Sequence, residues 1–157
     1  MIISLLKIVD NPLQDIPLIA VLRSPIFEFT DNELIEIRLV DKSVFFFESI
    51  RKKIAQNNDD KLTIKLQDFM NKLCIWQEKA NYMKLDLFIW NIYEETRYYA
   101  YVAGMPDGKR RTQNLNMLFE KAGIYEKTSL KGLFKFIKFI DRLVVSSRRH
   151  VFKQNNW

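Results

Sequence analysis

Apolar residues recur along this chain at three- and four-residue steps, which is the period of a helix with one buried face. Ile2, Ile3, Leu5, Leu6 and Val9 predict a first short helix, stopped by Asp10-Asn11-Pro12. Asp15 is placed to cap the next, with Pro17 tolerated in its first turn and Leu18, Val21 and Leu22 turned inward. Arg23-Ser24-Pro25 ends it. Thr30-Asp31-Asn32-Glu33 has capping-box spacing and predicts a helix to about Leu39. Ser43 is the expected cap of another, running through Phe46, Phe47, Ile50 and Ile54 to Asn57-Asn58-Asp59.

The longest predicted element spans about Asp60 to Met83, with Leu62, Leu66, Phe69, Leu73, Trp76 and Ala80 on one side. A helix from near Asp86 groups Phe88, Ile89, Ile92 and Tyr93, and Tyr98, Tyr99 and Tyr101 then lead into the breaker Gly104-Met105-Pro106-Asp107-Gly108. Two helices follow. One, about 109–125, faces inward through Leu115, Leu118, Phe119 and Ala122. The other, about 129–145, has Ser129 as its cap and Leu130, Leu133, Phe134, Ile137, Ile140 and Val144 inside. No segment needs to be a strand. The expected fold is all-α, a compact multi-helix array over residues 1–145. Residues 146–157 lose the periodicity and read as an irregular or frayed tail, or a cut point in a longer protein.

Composition supports a folded domain: 48% of the 157 residues are hydrophobic, and Gly and Pro number four each. Such a length builds one good core rather than two. The single cysteine, Cys74, can form no internal disulfide and reads as a small core hydrophobe in a reducing compartment. No stretch approaches the ~20 apolar residues of a membrane span, and the first residues lack the features of a signal peptide. A cytoplasmic location is expected.

Charge sharpens the picture. Residues 1–60 carry 7 basic and 10 acidic groups, whereas residues 106–157 carry 12 and 4. The net +6 is therefore concentrated in the last third, as a polyanion-facing surface or a solubilising one would require. Lys109, Arg110 and Arg111 open a helix, where they repel each other and the positive helix end unless an anion lies nearby. A DNA phosphate, water alone, or an acidic protein partner each satisfies them. Lys131, Lys135, Lys138 and Arg142 form a longer stripe, suited to DNA contact or simply the solvated side of an amphipathic helix. Phe45-Phe46-Phe47 and Tyr98-Tyr99 have rings able to stack on bases, but core packing is the better use of them.

Catalytic patterns are missing. There is no glycine-rich phosphate loop, and one Cys with one His cannot supply a usual zinc site. His150 has no partner that spacing assigns. The pairs Asp59-Asp60, Glu94-Glu95 and Glu33 with Glu36 fit capping positions or solvent faces better than Mg²⁺. The chain does not read as an enzyme, and no cofactor is expected within it.

Several segments have a familiar wording: Asp10-Asn11-Pro12-Leu13-Gln14-Asp15-Ile16-Pro17-Leu18, Ala20-Val21-Leu22-Arg23-Ser24-Pro25, Ile92-Tyr93-Glu94-Glu95-Thr96, Gly104-Met105-Pro106-Asp107-Gly108 with Asn114-Leu115, and Gly132-Leu133-Phe134-Lys135-Phe136-Ile137. Spread over about residues 5–143, they resemble the AddA family of UvrD-like superfamily 1 DNA helicases. The resemblance implies an excised region equivalent to the helical 2B subdomain, inserted in the second RecA-like motor domain. It implies a parent that uses ATP and Mg²⁺ to unwind and degrade double-stranded DNA ends for recombinational repair, with a second helicase-nuclease subunit. Partners would be double-stranded DNA, the rest of the motor and that subunit, with no membrane involved. Such proteins tend to place a hydrophobic-Gly-hydrophobic turn after the Arg-Ser-Pro, giving a hairpin whose backbone meets phosphate. Here Glu28 occupies the glycine position, so the resemblance implies the hairpin shape with a weakened phosphate contact, and Arg23 and Thr30 are candidates of second rank. The alternative reading is a module that docks on the motor domains or partner subunit without binding DNA by itself.

Overall fold

The computed structural model describes the backbone of residues 1–56, 60–128 and 131–154, and side chains as far as Ser146. Among these residues the elements are all helical: α1 (Ile2–Asp10), α2 (Asp15–Leu22), α3 (Asp31–Val40), α4 (Phe46–Ala55), α5 (Lys61–Tyr82), α6 (Leu85–Glu95), α7 (Tyr98–Ala103), α8 (Gly108–Glu126) and α9 (Leu133–Gln154). The all-helical expectation holds for them.

Helix α1 is the hub. Leu5, Leu6 and Ile8 are completely buried and Ile2 and Val9 nearly so, because α1 packs on α2, α5 and α9 at once. Against one side lies the acidic half of the chain, where α3 and α4 pack together and α4 also touches α2 and α5. Helix α5 leads into the other half, where α6 packs along α8 and α7 wedges against both. The predicted inner row of α5 is buried from Leu62 to Trp76. Phe27, from the loop after α2, meets Phe69 edge-on at 5.0 Å and Trp76 at 6.1 Å.

Local chemistry explains most boundaries. The turn at Asp10-Asn11-Pro12 is closed by Asn11 Oδ1, which accepts from the Leu13 amide, and by Gln14 Nε2, which donates to the Lys7 and Asn11 carbonyls. The Thr30–Glu33 capping box forms in full, each side chain satisfying the other residue's backbone N–H. Asp60 caps α5 through the Thr63 amide and also accepts from Lys53 Nζ at 3.0 Å. Lys53 is buried, yet it reaches Glu36 as well, at 2.9 Å, so its charge is compensated from two sides.

Two expected caps do not form, and a tertiary contact takes the place of one of them. Asp15 is the first residue of α2 and caps nothing there. Its Oδ1 accepts instead from the Phe46 amide at 2.8 Å, satisfying a free N–H at the start of α4, while Oδ2 takes Arg38 at 2.7 Å. Ser43 in turn does not cap α4; it bonds Asp41, whose side chain organises the preceding loop. The carboxylate brought by α2 outcompetes the nearer hydroxyl because it also gains a guanidinium.

Further corrections concern faces. Cys74 is exposed rather than a core residue, since it falls on α5 between the buried positions Leu73 and Trp76 but outside their row. Among the described side chains of α9, Phe136, Ile137 and Ile140 are buried, with Leu133 and Leu143 partly buried. Phe134 and Val144, expected inside, are 57% and 45% exposed. At roughly 100° per residue, Phe134 stands about a quarter-turn from the row that α1 selects. Of the phenylalanine triplet, Phe46 is buried, Phe47 half-buried and Phe45 exposed. The expected cap Ser129 and the inner residue Leu130 lie outside the described residues, as do Asn57, Asn58 and Asp59. Helix α9 itself continues to Gln154, past residue 145 where the apolar periodicity stops. Loss of packing positions does not end a helix when no breaker follows.

Two outcomes are expected from this packing. Phe69→Ala should cost about 3–5 kcal/mol in urea unfolding, since its fully buried ring leaves a cavity beside Phe27, whereas Cys74→Ser should stay within about 0.5 kcal/mol. The Asp60 carboxyl is held down to about 2, first by the Thr63 amide and then by Lys53. Its ionised form therefore stabilises the fold fully above roughly pH 4, and that contribution is lost as pH falls towards 2. Asp60→Asn should accordingly lower the melting temperature at neutral pH by an amount that shrinks on acidification; a pH-independent difference would contradict it.

Candidate nucleic-acid interface

The densest basic surface forms where α7 turns into α8. Arg97, in the left-handed conformation (φ 53°), starts α7, and Asp107, also left-handed (φ 60°), precedes α8. Gly108 sits so tightly in this elbow that a Cβ there would lie 2.2 Å from the Ala103 carbonyl oxygen. The predicted breaker is thus a close helix–helix junction. It sets Lys109, Arg110 and Arg111 in solvent on the first turn of α8. Arg110 pairs with Asp107 at 3.0 Å, and Arg111 Nε donates to the Pro106 carbonyl at 3.2 Å. Arg111 also acts on Tyr98: burial pushes that hydroxyl upward, and the guanidinium nearby partly offsets it.

The second basic group is less compact. Lys131 lies before α9, beside Lys84, Leu85 and Glu126, while Lys135, Lys138 and Arg142 are exposed along α9. Lys138 stands over the Phe134 ring at 5.4 Å, which gives the exposed phenylalanine a partner. Asp141 pairs with Lys7 at 3.0 Å, and Lys138 lies close enough to Asp10 to offset part of the upward push that burial gives that carboxyl.

The hairpin residues are occupied differently. Glu28 adopts φ 53°, a left-handed geometry that glycine takes most easily. The segment forms a tight turn: the Phe27 and Glu28 amides bond Ser24 O, and the Phe29 amide bonds Leu22 O. The Glu28 carbonyl accepts from Lys65. Arg23 pairs with Asp31 at 3.1 Å on the surface, and Thr30 Oγ1 is the α3 cap. These two side chains are therefore committed to protein contacts.

A groove of about 570 Å³ runs between α1, α7, α8 and α9, with Ile3, Met117, Leu118, Leu143 and Val144 in its walls and Arg111 and Lys121 at its edge. The carboxylate pair Glu94 and Glu95 serves structure, accepting the indole N–H of Trp90 and of Trp76 respectively. Burial raises the Glu95 carboxyl, but hydrogen bonds from Lys79 and Trp76 outweigh it and hold the group below its usual range. Among the described residues no group of three or more His, Cys, Asp or Glu side chains could hold a metal ion. No helix among them is long and apolar enough to cross a membrane. The His150 side chain lies outside the described residues.

Comparison with known proteins places this arrangement in context. The A subunit of an ATP-dependent helicase/nuclease from Thermoanaerobacter sp. (strain X514) is 56% identical over 146 residues, covering 93% of this chain and 12% of that protein. The chain is homologous to a segment of the helicase/nuclease A subunit, AddA. The corresponding protein of Clostridium kluyveri (strain ATCC 8527) is 48% identical over 155 residues, covering 93% of the chain and 13% of the relative. That of Alkaliphilus metalliredigens (strain QYMF) is 51% identical over 143 residues, covering 91% and 12%. The chain thus spans about an eighth of the length of these curated AddA relatives. No family model matches it.

The structure adds residues that spacing alone does not single out. Tyr101 is 47% exposed and stacks on Tyr98 beside the elbow, and Lys121 joins Arg111 at the groove. A tyrosine run reads as core in sequence; only the short length of α7 and its wedge position leave one ring outside. Because the elbow depends on Gly108, Gly108→Ala should destabilise the chain by about 1–3 kcal/mol, from the clash with the Ala103 carbonyl. Thermal unfolding of the variant measures this, and an unchanged melting temperature would show that the junction is looser than described.

Proposed function

We propose that this chain is a non-catalytic, DNA-contacting and regulatory subdomain of an ATP-dependent DNA helicase-nuclease that processes double-strand breaks for recombinational repair in the cytoplasm. In this reading it is equivalent to the helical 2B subdomain of UvrD-like helicases. ATP and Mg²⁺ are used by the parent protein, whose motor domains and second subunit serve as its protein partners. The observation that carries the reading is homology along 93% of the chain to one-eighth of AddA, joined to an exposed Lys109-Arg110-Arg111 cluster on a rigid elbow.

The physics suits duplex backbone contact. Three cations at one helix start repel each other and lie at the positive end of α8, so a phosphate gains from all of them. Lys135, Lys138 and Arg142 supply a second, more spread positive surface, with Lys131 at its edge. Binding of this kind is salt-dependent and insensitive to base sequence. A docking module without autonomous DNA binding is the second reading, favoured by the apolar groove between α1, α8 and α9. Competition between DNA and the rest of the parent protein separates the two.

The deciding measurement is binding to a fluorescent duplex with a single-stranded tail over a range of salt concentrations. Affinity should fall with salt, and changing Lys109, Arg110 and Arg111 to alanine should lower the log–log salt slope by about one for each phosphate no longer engaged. Absence of binding even at low salt would remove the DNA-contact role and leave the docking role.

A further inference from the structure

The elbow carries rings as well as charge. Tyr98 and Tyr101, one helical turn apart on α7, have ring centroids 6.2 Å apart and planes inclined by 28°. Tyr98 is half-buried and packed against the core, so it backs Tyr101 with a fixed ring. Tyr101 is 47% exposed, and among the described residues its hydroxyl has no hydrogen-bond partner. The ring thus contributes little to the fold and keeps apolar area in water on α7, the helix that leads into the elbow. Arg111 lies close enough to Tyr98 to influence its hydroxyl, which puts a guanidinium next to the stacked pair.

Building on the DNA-contact reading, we propose that the α7–α8 elbow is a subsite for single-stranded DNA, in which an unpaired base stacks on Tyr101 while the flanking phosphates meet Arg110 and Arg111. A duplex hides its base faces within its own stack, so an exposed ring gains nothing from it beyond what the cations supply. An unpaired base offers a free face, and stacking on a tyrosine already held by a second ring costs little ordering entropy. The neighbouring cluster of Trp90, Tyr93, Tyr99 and Phe119 is a poorer platform, because Glu94 accepts the Trp90 indole N–H at 3.0 Å and sets a carboxylate beside it.

The test uses the 157-residue chain with three probes of matched length: oligothymidylate, an abasic strand with the same phosphates, and a blunt duplex. Wild-type protein should bind oligothymidylate about tenfold more tightly than the abasic strand. Tyr101→Ala should abolish that preference and leave duplex affinity unchanged, Tyr101→Phe should retain it, and Arg111→Ala should weaken both single strands. Circular dichroism melts establish that each variant is folded. Equal affinity for oligothymidylate and the abasic strand, or an equally harmful Tyr101→Phe, would overturn the stacking subsite while duplex binding stands. Loss of binding to all three probes in wild-type protein would overturn the DNA-contact reading together with it.

Discussion

Burial of helix α1 is the constraint from which the rest of the architecture follows. A nine-residue helix with five buried apolar side chains cannot satisfy them against one neighbour, and α2, α5 and α9 close on it from different sides. Elements from the beginning, middle and end of the chain thereby meet at one point. Polar bonds then lock the angles: Lys7 to Asp141 ties α1 to α9, and Gln77 donates to the Val9 carbonyl from α5. Once α9 is held through Phe136, Ile137 and Ile140, its remaining surface, including Phe134 and the cations, is necessarily outside.

That arrangement separates two kinds of surface. In the acidic half, carboxylates are consumed by caps and ion pairs: Asp15 by the start of α4 and Arg38, Glu33 by α3 and Lys65, Asp60 by α5 and Lys53. The Glu33 and Asp60 carboxyls are held below their usual range by these hydrogen bonds and lysines, so both remain ionised partners of the fold. In the basic half the reverse holds. Lys109, Arg110 and Arg111 on the elbow and Lys135, Lys138 and Arg142 along α9 are all exposed, and among the described residues Arg110 is the one of the elbow three that pairs with a carboxylate, Asp107.

Where local and tertiary chemistry agree, the helices are legible in the sequence. Thr30 with Glu33 and Asp60 with Thr63 act across three residues, a range that spacing encodes directly. Asp15 and Ser43 escape such reasoning because the start of α4 is capped from thirty-one residues away, a distance that no local rule encodes. Cys74 and Phe134 depart from expectation because each stands off the row its helix buries, whereas Val144 is in register with Ile137 and Ile140 but lines the open groove beside α1. The basic candidates can be found from charge alone, but Tyr101 cannot, since its exposure depends on how α7 wedges between α6 and α8.

The sequence by itself determined the helical class, the punctuation at Asn11-Pro12 and Gly104 to Gly108, and the concentration of positive charge in the last third. Periodicity, breakers and charge are one-dimensional properties and survive in any fold of the chain. Tertiary structure alone decided which side of α9 faces α1, which carboxylate caps α4, and which tyrosine remains in water. Those outcomes depend on distances between residues far apart in the chain, and only a closed core sets such distances.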